Sequence, residues 1–151
     1  MVKKASEIQK ERIQEIEEKA SKILEKCVVV TLASINEKGY PRVCAIKKIR
    51  NNGFLEIYFI TSKRSHINGK ATHFENNTKA SVCYYLGGDS VTLIGDVEIV
   101  TNMDEKREFE NDCDRKFFKK GIVDPKCYLL RFRTQEATFW IEGKFRTCKY
   151  M

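Results

Sequence analysis

Turn signals recur along this chain at a spacing that leaves room only for short strands. Asn36-Glu37-Lys38-Gly39, Asn51-Asn52-Gly53 and Gly87-Gly88-Asp89 each lie between runs of β-branched and aromatic residues, the pattern of hairpin-linked antiparallel strands. The runs are Cys27–Ile35, apolar on both sides as in a strand covered on both faces, then Tyr40–Arg50 and Phe54–Thr61. In the last of these Leu55, Ile57 and Phe59 alternate with Glu56 and Tyr58. Further along stand Lys79–Leu86, Ser90–Val100, Lys126–Arg133 and Ala137–Phe145. Val91, Leu93, Val97 and Ile99 share one face, and Gly95 interrupts it, which predicts a bulge or a close backbone approach.

Helical spacing is confined to the joints. Ser6-Glu7-Ile8-Gln9 has the form of a capping box, and the stripe Ile13, Ile16, Ala20, Ile23, Leu24 behind it predicts an amphipathic helix over Ser6–Lys26, packed on the sheet. A second helix is expected from Ser65 to about Glu75, and a polar third from Thr101-Asn102 to about Lys119. Six or seven antiparallel strands with three helices at crossovers fit a small closed or partly closed barrel better than a doubly wound sheet.

At 151 residues, 42% hydrophobic and 32% charged, the chain is expected to form one domain, residues 1–151, without long disorder. Its net charge of +7 favours an anionic partner. The cations recur at Lys47–Arg50, Lys63–Lys70, Lys116–Lys120 and Lys144–Lys149. Six scattered cysteines without a Cys-x-x-Cys pair argue against zinc. With no signal-like N-terminus and no apolar span near the roughly 20 residues of a membrane helix, a cytoplasmic protein with reduced thiols is expected.

Between Tyr58 and Lys70 an apolar strand hands over to a helix through Ser62-Lys63-Arg64-Ser65. Hydroxyls and cations before a helix N-terminus form an anion cradle: Ser65 caps, the first amides point back at the turn, and the helix dipole adds partial positive charge. The same stretch also reads as a solvated connection.

Taken in order, Gly39-Tyr40-Pro41-Arg42-Val43, Tyr58–Ser65, Asn77-Thr78-Lys79-Ala80-Ser81-Val82, Val91–Val97 and Phe139-Trp140 resemble the FMN-binding split-barrel superfamily, the pyridoxamine phosphate oxidase-like proteins, and within it the general stress protein branch. The resemblance spans about Glu18 to Gly143 and implies a six-stranded antiparallel split β-barrel with inserted helices, forming a homodimer with FMN at the subunit interface. It places the flavin phosphate near Ile60, Thr61, Ser65 and His66, with Lys70 reaching back one helical turn. It lays the flavin ring along Arg42, Val43, Cys44 and Lys47. Ser90 stands where the oxidase has a cofactor-holding glutamine, and Trp140 is either core or an aromatic wall over the partner's flavin. His66 and Ile67 replace the cations usual after Ser65, and the oxidase's C-terminal Arg-x-His is here Arg146-Thr147-Cys148, which argues against pyridoxine phosphate as substrate. Arg42 and Lys47, an odd number apart, should point to opposite faces of a regular strand.

FMN carries its own redox chemistry, so no acid–base constellation is required. The expected activity is a flavin-dependent oxidoreductase taking electrons from a reduced nicotinamide to an unidentified small acceptor. Rival readings are a carrier or sensor barrel for haem or a deazaflavin, and a basic nucleic-acid-binding barrel with stacking aromatics. His66 and His73, seven apart, read as an ordinary pair on a helix surface. Of Tyr84-Tyr85 and Phe117-Phe118, one member each should be exposed or at an interface, as a homodimer would use.

Overall fold

The computed structural model describes residue 2 and residues 4–62 and 70–150. Among them eight strands form one antiparallel sheet: β1 (Val29–Ile35), β2 (Pro41–Lys47), β3 (Arg50–Asn52), β4 (Glu56–Ser62), β5 (Lys79–Leu86), β6 (Asp89–Val100), β7 (Cys127–Ile141) and β8 (Lys144–Lys149). Three helices accompany them: α1 (Ala5–Lys26), α2 (Lys70–Asn76) and α3 (Met103–Arg107).

The sheet runs β2-β1-β5-β6-β7-β4-β3, with β8 added on β7. The first and last strands of that path follow one another in sequence, so the chain through Lys48 and Ile49 curls the sheet on itself. Lys48 N–H donates to the Val28 carbonyl (3.1 Å) and Ile49 N–H to the Tyr58 carbonyl (3.0 Å), one bond to each side. Past this junction β2 pairs only with β1, and Phe59–Ser62 pair only with β7. The result is a split barrel. Its wall has six strands, because β2 and β3 are two halves of one.

Inward residues follow the strand period of two, Val30 and Leu32, Ile57 and Phe59, Val82 and Tyr84, Val91 and Leu93, and a register shift on β7 brings Phe139 to the same side as Phe132; all are buried in one cluster. Helix α1 adds Ala20, Ile23 and Leu24, and the Tyr84 hydroxyl donates to the Ala20 carbonyl at 2.9 Å. Helix α2 adds Phe74, and the His73 Nδ1 lies 2.7 Å from the buried Ser34 Oγ. His73 is therefore a packed residue rather than half of a surface pair. A second cluster covers the outside of β4 and β7, where Val100, Phe109, Phe118, Ile122, Cys127 and Leu129 meet Tyr58 and Ile60.

Several sequence expectations change. Ser6 is no cap: α1 starts at Ala5 behind Lys4, which makes no side-chain cap bond. β1 is buried on one face only, with Val29 exposed. The third helix opens as expected, the Asn102 side chain accepting from the Glu105 amide, but ends at Arg107. Phe109 and Phe118 are nine residues apart, about 180° around a continuous helix. Turns around Asp114 bury both rings in the same cluster instead. β7 is one strand of 15 residues where two were expected. It continues by a bulge, and the true break is Glu142-Gly143, both at positive φ (54° and 74°), a two-residue hairpin turn.

That bulge is the one foreseen at Gly95. Ile94 pairs with Glu136 but Gly95 with Thr134, so the register shifts here. A Cβ at position 95 would overlap the Arg133 carbonyl and touch the Phe132 ring. Gly95→Ala should destabilise the fold by about 3 kcal/mol in urea denaturation. Ser34→Ala, which removes a buried partner of His73, should cost about 1–2 kcal/mol. Two carboxylates in the outer segment set an acid limit. The Ile122 amide and Arg115 hold Glu110 below the usual carboxylate range, and the Lys126 and Lys120 amides do the same for Asp124. Their stabilisation is complete above the unfolded-state values near 4 and is lost as pH falls through the lower folded values. The urea midpoint should fall more steeply below pH 4 for the parent than for Glu110→Gln/Asp124→Asn.

Candidate functional site

The split sets β2 against the far half of β4. β2 is an edge strand, so every second amide and carbonyl along it faces away from β1 toward the opening. Its seven residues pair with β1 without a register shift, from Val29 opposite Lys47 to Ile35 opposite Pro41. No bulge reconciles Arg42 with Lys47. Arg42 shares a face with Cys44 and Ile46, and Ile46 packs on the core; Val43, Ala45 and Lys47 share the other face and are exposed. Only the reach of the long side chains can bring both cations to one ligand.

Across the opening, Ile60 and Thr61 also point apart. Ile60 packs into the outer cluster, leaving Thr61 on the side of Ile57 and Phe59. Ser65 and His66, with Lys63 and Arg64, lie outside the described residues, as does the side chain of Lys70, which opens α2. Charge at the opening is one-sided. From Tyr40 to Thr61 the only acid is Glu56, which accepts from Arg133 Nε at 3.2 Å. Lys48 and Arg50 are spent locally, on Asn51 Oδ1 (2.8 Å) and Asp112 (2.6 Å).

Ser90 and Trp140 are brought together, but elsewhere. They are paired on β6 and β7, Tyr85 pairs with Ser90, and Phe145 with Trp140, the two rings 4.9 Å apart at their centroids. Along the sheet path Ser90 lies three strand spacings from β2 and Trp140 four, roughly 14 and 19 Å. The group sits at the far end of β7 from Tyr128, the residue paired with Thr61. It belongs to a broader outward face that the sequence pattern did not assemble. Thr31, Cys83, Thr92, Thr138 and Thr147 form one cross-strand row, and Ala33, Ser81, Ile94 and Glu136 the next. Each residue could be read as outward by its period, but only the register lines them up. Tyr85, at 74% exposed, and Phe145, at 71%, crown this face, while Tyr84 and Phe118 are buried as their neighbours' exposure requires.

Three of the cysteines are held away from the thiolate form. Burial pushes the Cys127 thiol up to about 12 and raises Cys27 and Cys113 as well. No group of His, Cys, Asp and Glu among the described residues has metal-binding geometry. No helix of the described residues is long and apolar enough to cross a membrane.

The curled sheet recurs in solved structures. A Clostridium acetobutylicum protein related to general stress protein 26 of B. subtilis, of the pyridoxinephosphate oxidase family, superposes with a TM-score of 0.75 at 19% identity, covering 89% of this chain and 94% of that one. General Stress Protein 26 of Bacillus anthracis str. Sterne gives a TM-score of 0.67 at 21% identity, over 88% and 98% of the two chains. A heme binding protein from Mycobacterium smegmatis gives 0.69 at 17% identity, over 89% of this chain but 57% of its own. At these identities the likeness is one of fold. No curated protein matches the chain in sequence. Residues 16–141, most of the chain, match the pyridoxamine 5'-phosphate oxidase family, and the protein belongs to that family.

Proposed function

We propose that the protein is an FMN-binding homodimer that acts as a flavin-dependent oxidoreductase, transferring electrons from a reduced nicotinamide to a small acceptor. The observation that carries this reading is the split: an open strand edge with Arg42 and Lys47 on one side and the Thr61 hydroxyl on the other, within a stretch from Tyr40 to Thr61 whose one acid, Glu56, is bonded to Arg133. Cations, a hydroxyl and edge amides are the donor set that a phosphate and the oxygens and nitrogens of a flavin ring require, so the residues fit the group. When bound, FMN would supply the two-electron chemistry.

The role of the chain itself is to bind and shield. Thr61 would hold the phosphate, Arg42 and Lys47 would reach in from opposite faces of β2 to neutralise charge, and Cys44 and Val43 would lie beside them, one on each face. Trp140 would cover the flavin of a second copy, and the hydroxyl-rich outward face beside it suits a self-complementary contact. A cytoplasmic setting with reduced cysteines belongs to this reading. His73, buried against Ser34, is not open to a haem iron.

Purified protein titrated with FMN should quench flavin fluorescence to saturation at one FMN per subunit and sediment as a dimer. Arg42→Ala together with Thr61→Ala should weaken FMN by about 3 kcal/mol, roughly a hundredfold. Unchanged affinity in that variant would rule out the split as the phosphate site, and a haem spectrum in place of a flavin one would rule out the cofactor.

A further inference from the structure

A second basic concavity lies on the other side of β4. It has a volume of about 490 Å³, within the range of small-molecule sites, and is lined by Ser62, Lys116, Phe117, Lys119, Lys120 and Lys126, with Asp124 and Pro125. We propose that this groove binds a pyrophosphate joined to an aromatic base, the chemistry of a nucleoside diphosphate.

The local fold explains the concentration of charge. In Lys116-Phe117-Phe118-Lys119-Lys120, Phe118 is buried in the outer cluster and anchors the segment, which leaves Phe117 78% exposed. The Lys116 amide donates to Asp114 Oδ1 at 2.9 Å, and the Phe117 and Phe118 amides donate to the Asp114 carbonyl at 3.1 Å, so the turn is fixed. Gly121, at φ 69°, reverses the chain, and Asp124 accepts from the Lys120 amide (3.2 Å) and the Lys126 amide (3.0 Å). That pair of bonds draws Lys120 and Lys126 to one rim while occupying the only acid among the described residues of the lining. Among the described residues no carboxylate lies within ion-pair distance of the ammonium groups of Lys116, Lys119, Lys120 or Lys126. Four cations around one occupied carboxylate leave repulsion that a multiply charged anion would relieve. The exposed Phe117 ring among them is a platform on which a base can stack. Thr61 and Ser62 are consecutive on β4 and so face opposite sides of the sheet, which separates this groove from the phosphate position proposed for FMN.

The test is equilibrium dialysis of ADP against the full chain, with and without saturating FMN. The expected result is saturable binding of one ADP per chain, competed by inorganic pyrophosphate and weakened by added salt. Lys116→Ala/Lys120→Ala should weaken it at least tenfold and Phe117→Ala about fivefold, by loss of charge-assisted bonds and of stacking. All three side chains are exposed, so both variants should melt with the parent. A reduced nicotinamide dinucleotide binding at least tenfold tighter than ADP would identify the electron donor as the source of the moiety; equal affinity would identify a free nucleotide. ADP binding in a protein that ignores FMN would uphold the groove while removing the flavin reading. Absence of ADP binding, affinity unchanged in both variants, or a single-stranded oligonucleotide bound with a steep salt dependence in place of ADP would each overturn the proposal.

Discussion

The close passage of Gly95 against the Arg133 carbonyl is what lets a single sheet serve two purposes. Up to Arg133 the free side of β7 pairs with β4 and helps to close the barrel; from Glu136 onward the same side pairs with β8. The residues between are bound on both flanks. The Thr134 amide and hydroxyl donate to the Leu55 (2.9 Å) and Phe54 (2.6 Å) carbonyls, and the Gln135 carbonyl accepts the Tyr150 amide at 2.7 Å. A side chain at position 95 would push β6 away from the point where those three segments meet. The twist that a bulge adds therefore sets both the barrel's closure and the direction of the Trp140 end.

The Lys48–Ile49 junction performs the complementary task. It divides one strand into β2, which stays with β1, and β3, which goes to β4, and so opens the edge on which the proposed cofactor site depends. A strand edge is ordinarily a liability, since its unpaired groups invite other chains. Here the edge is short and carries Arg42 and Lys47. The same unpaired groups that would invite aggregation would serve as donors in the proposed cofactor site.

The outside of β4 and β7 follows a different logic. The segment from Met103 to Val123 could have been a long surface helix, but burying Phe109 and Phe118 together outweighs helical continuity. Arg50 lies 4.2 Å from the Phe109 ring centroid and bonds Asp112, while Arg131 bonds Glu98 and Glu105, so the segment is tied to the sheet by charge as well as by apolar contact. The basic groove is a consequence of that choice, because a turn that buries Phe118 must expose Phe117 and the lysines around it.

Much of this fold is legible in the sequence. β5 forms over the residues expected for it, Asn102 opens a helix, and Gly95 marks its bulge, because alternation, capping and a missing Cβ are local properties. The order of family motifs likewise points to the split barrel. What local pattern could not supply was how segments distant in the chain compete for the same pairing edges. Only packing ended α3 at Arg107, joined Lys126–Arg133 to Ala137–Ile141 as one strand, buried His73 against Ser34, and placed Trp140 and Arg42 apart within a chain. Strand identity is written in side-chain periodicity, whereas register and closure depend on which backbone edges meet, and those edges lie far apart along the unfolded chain.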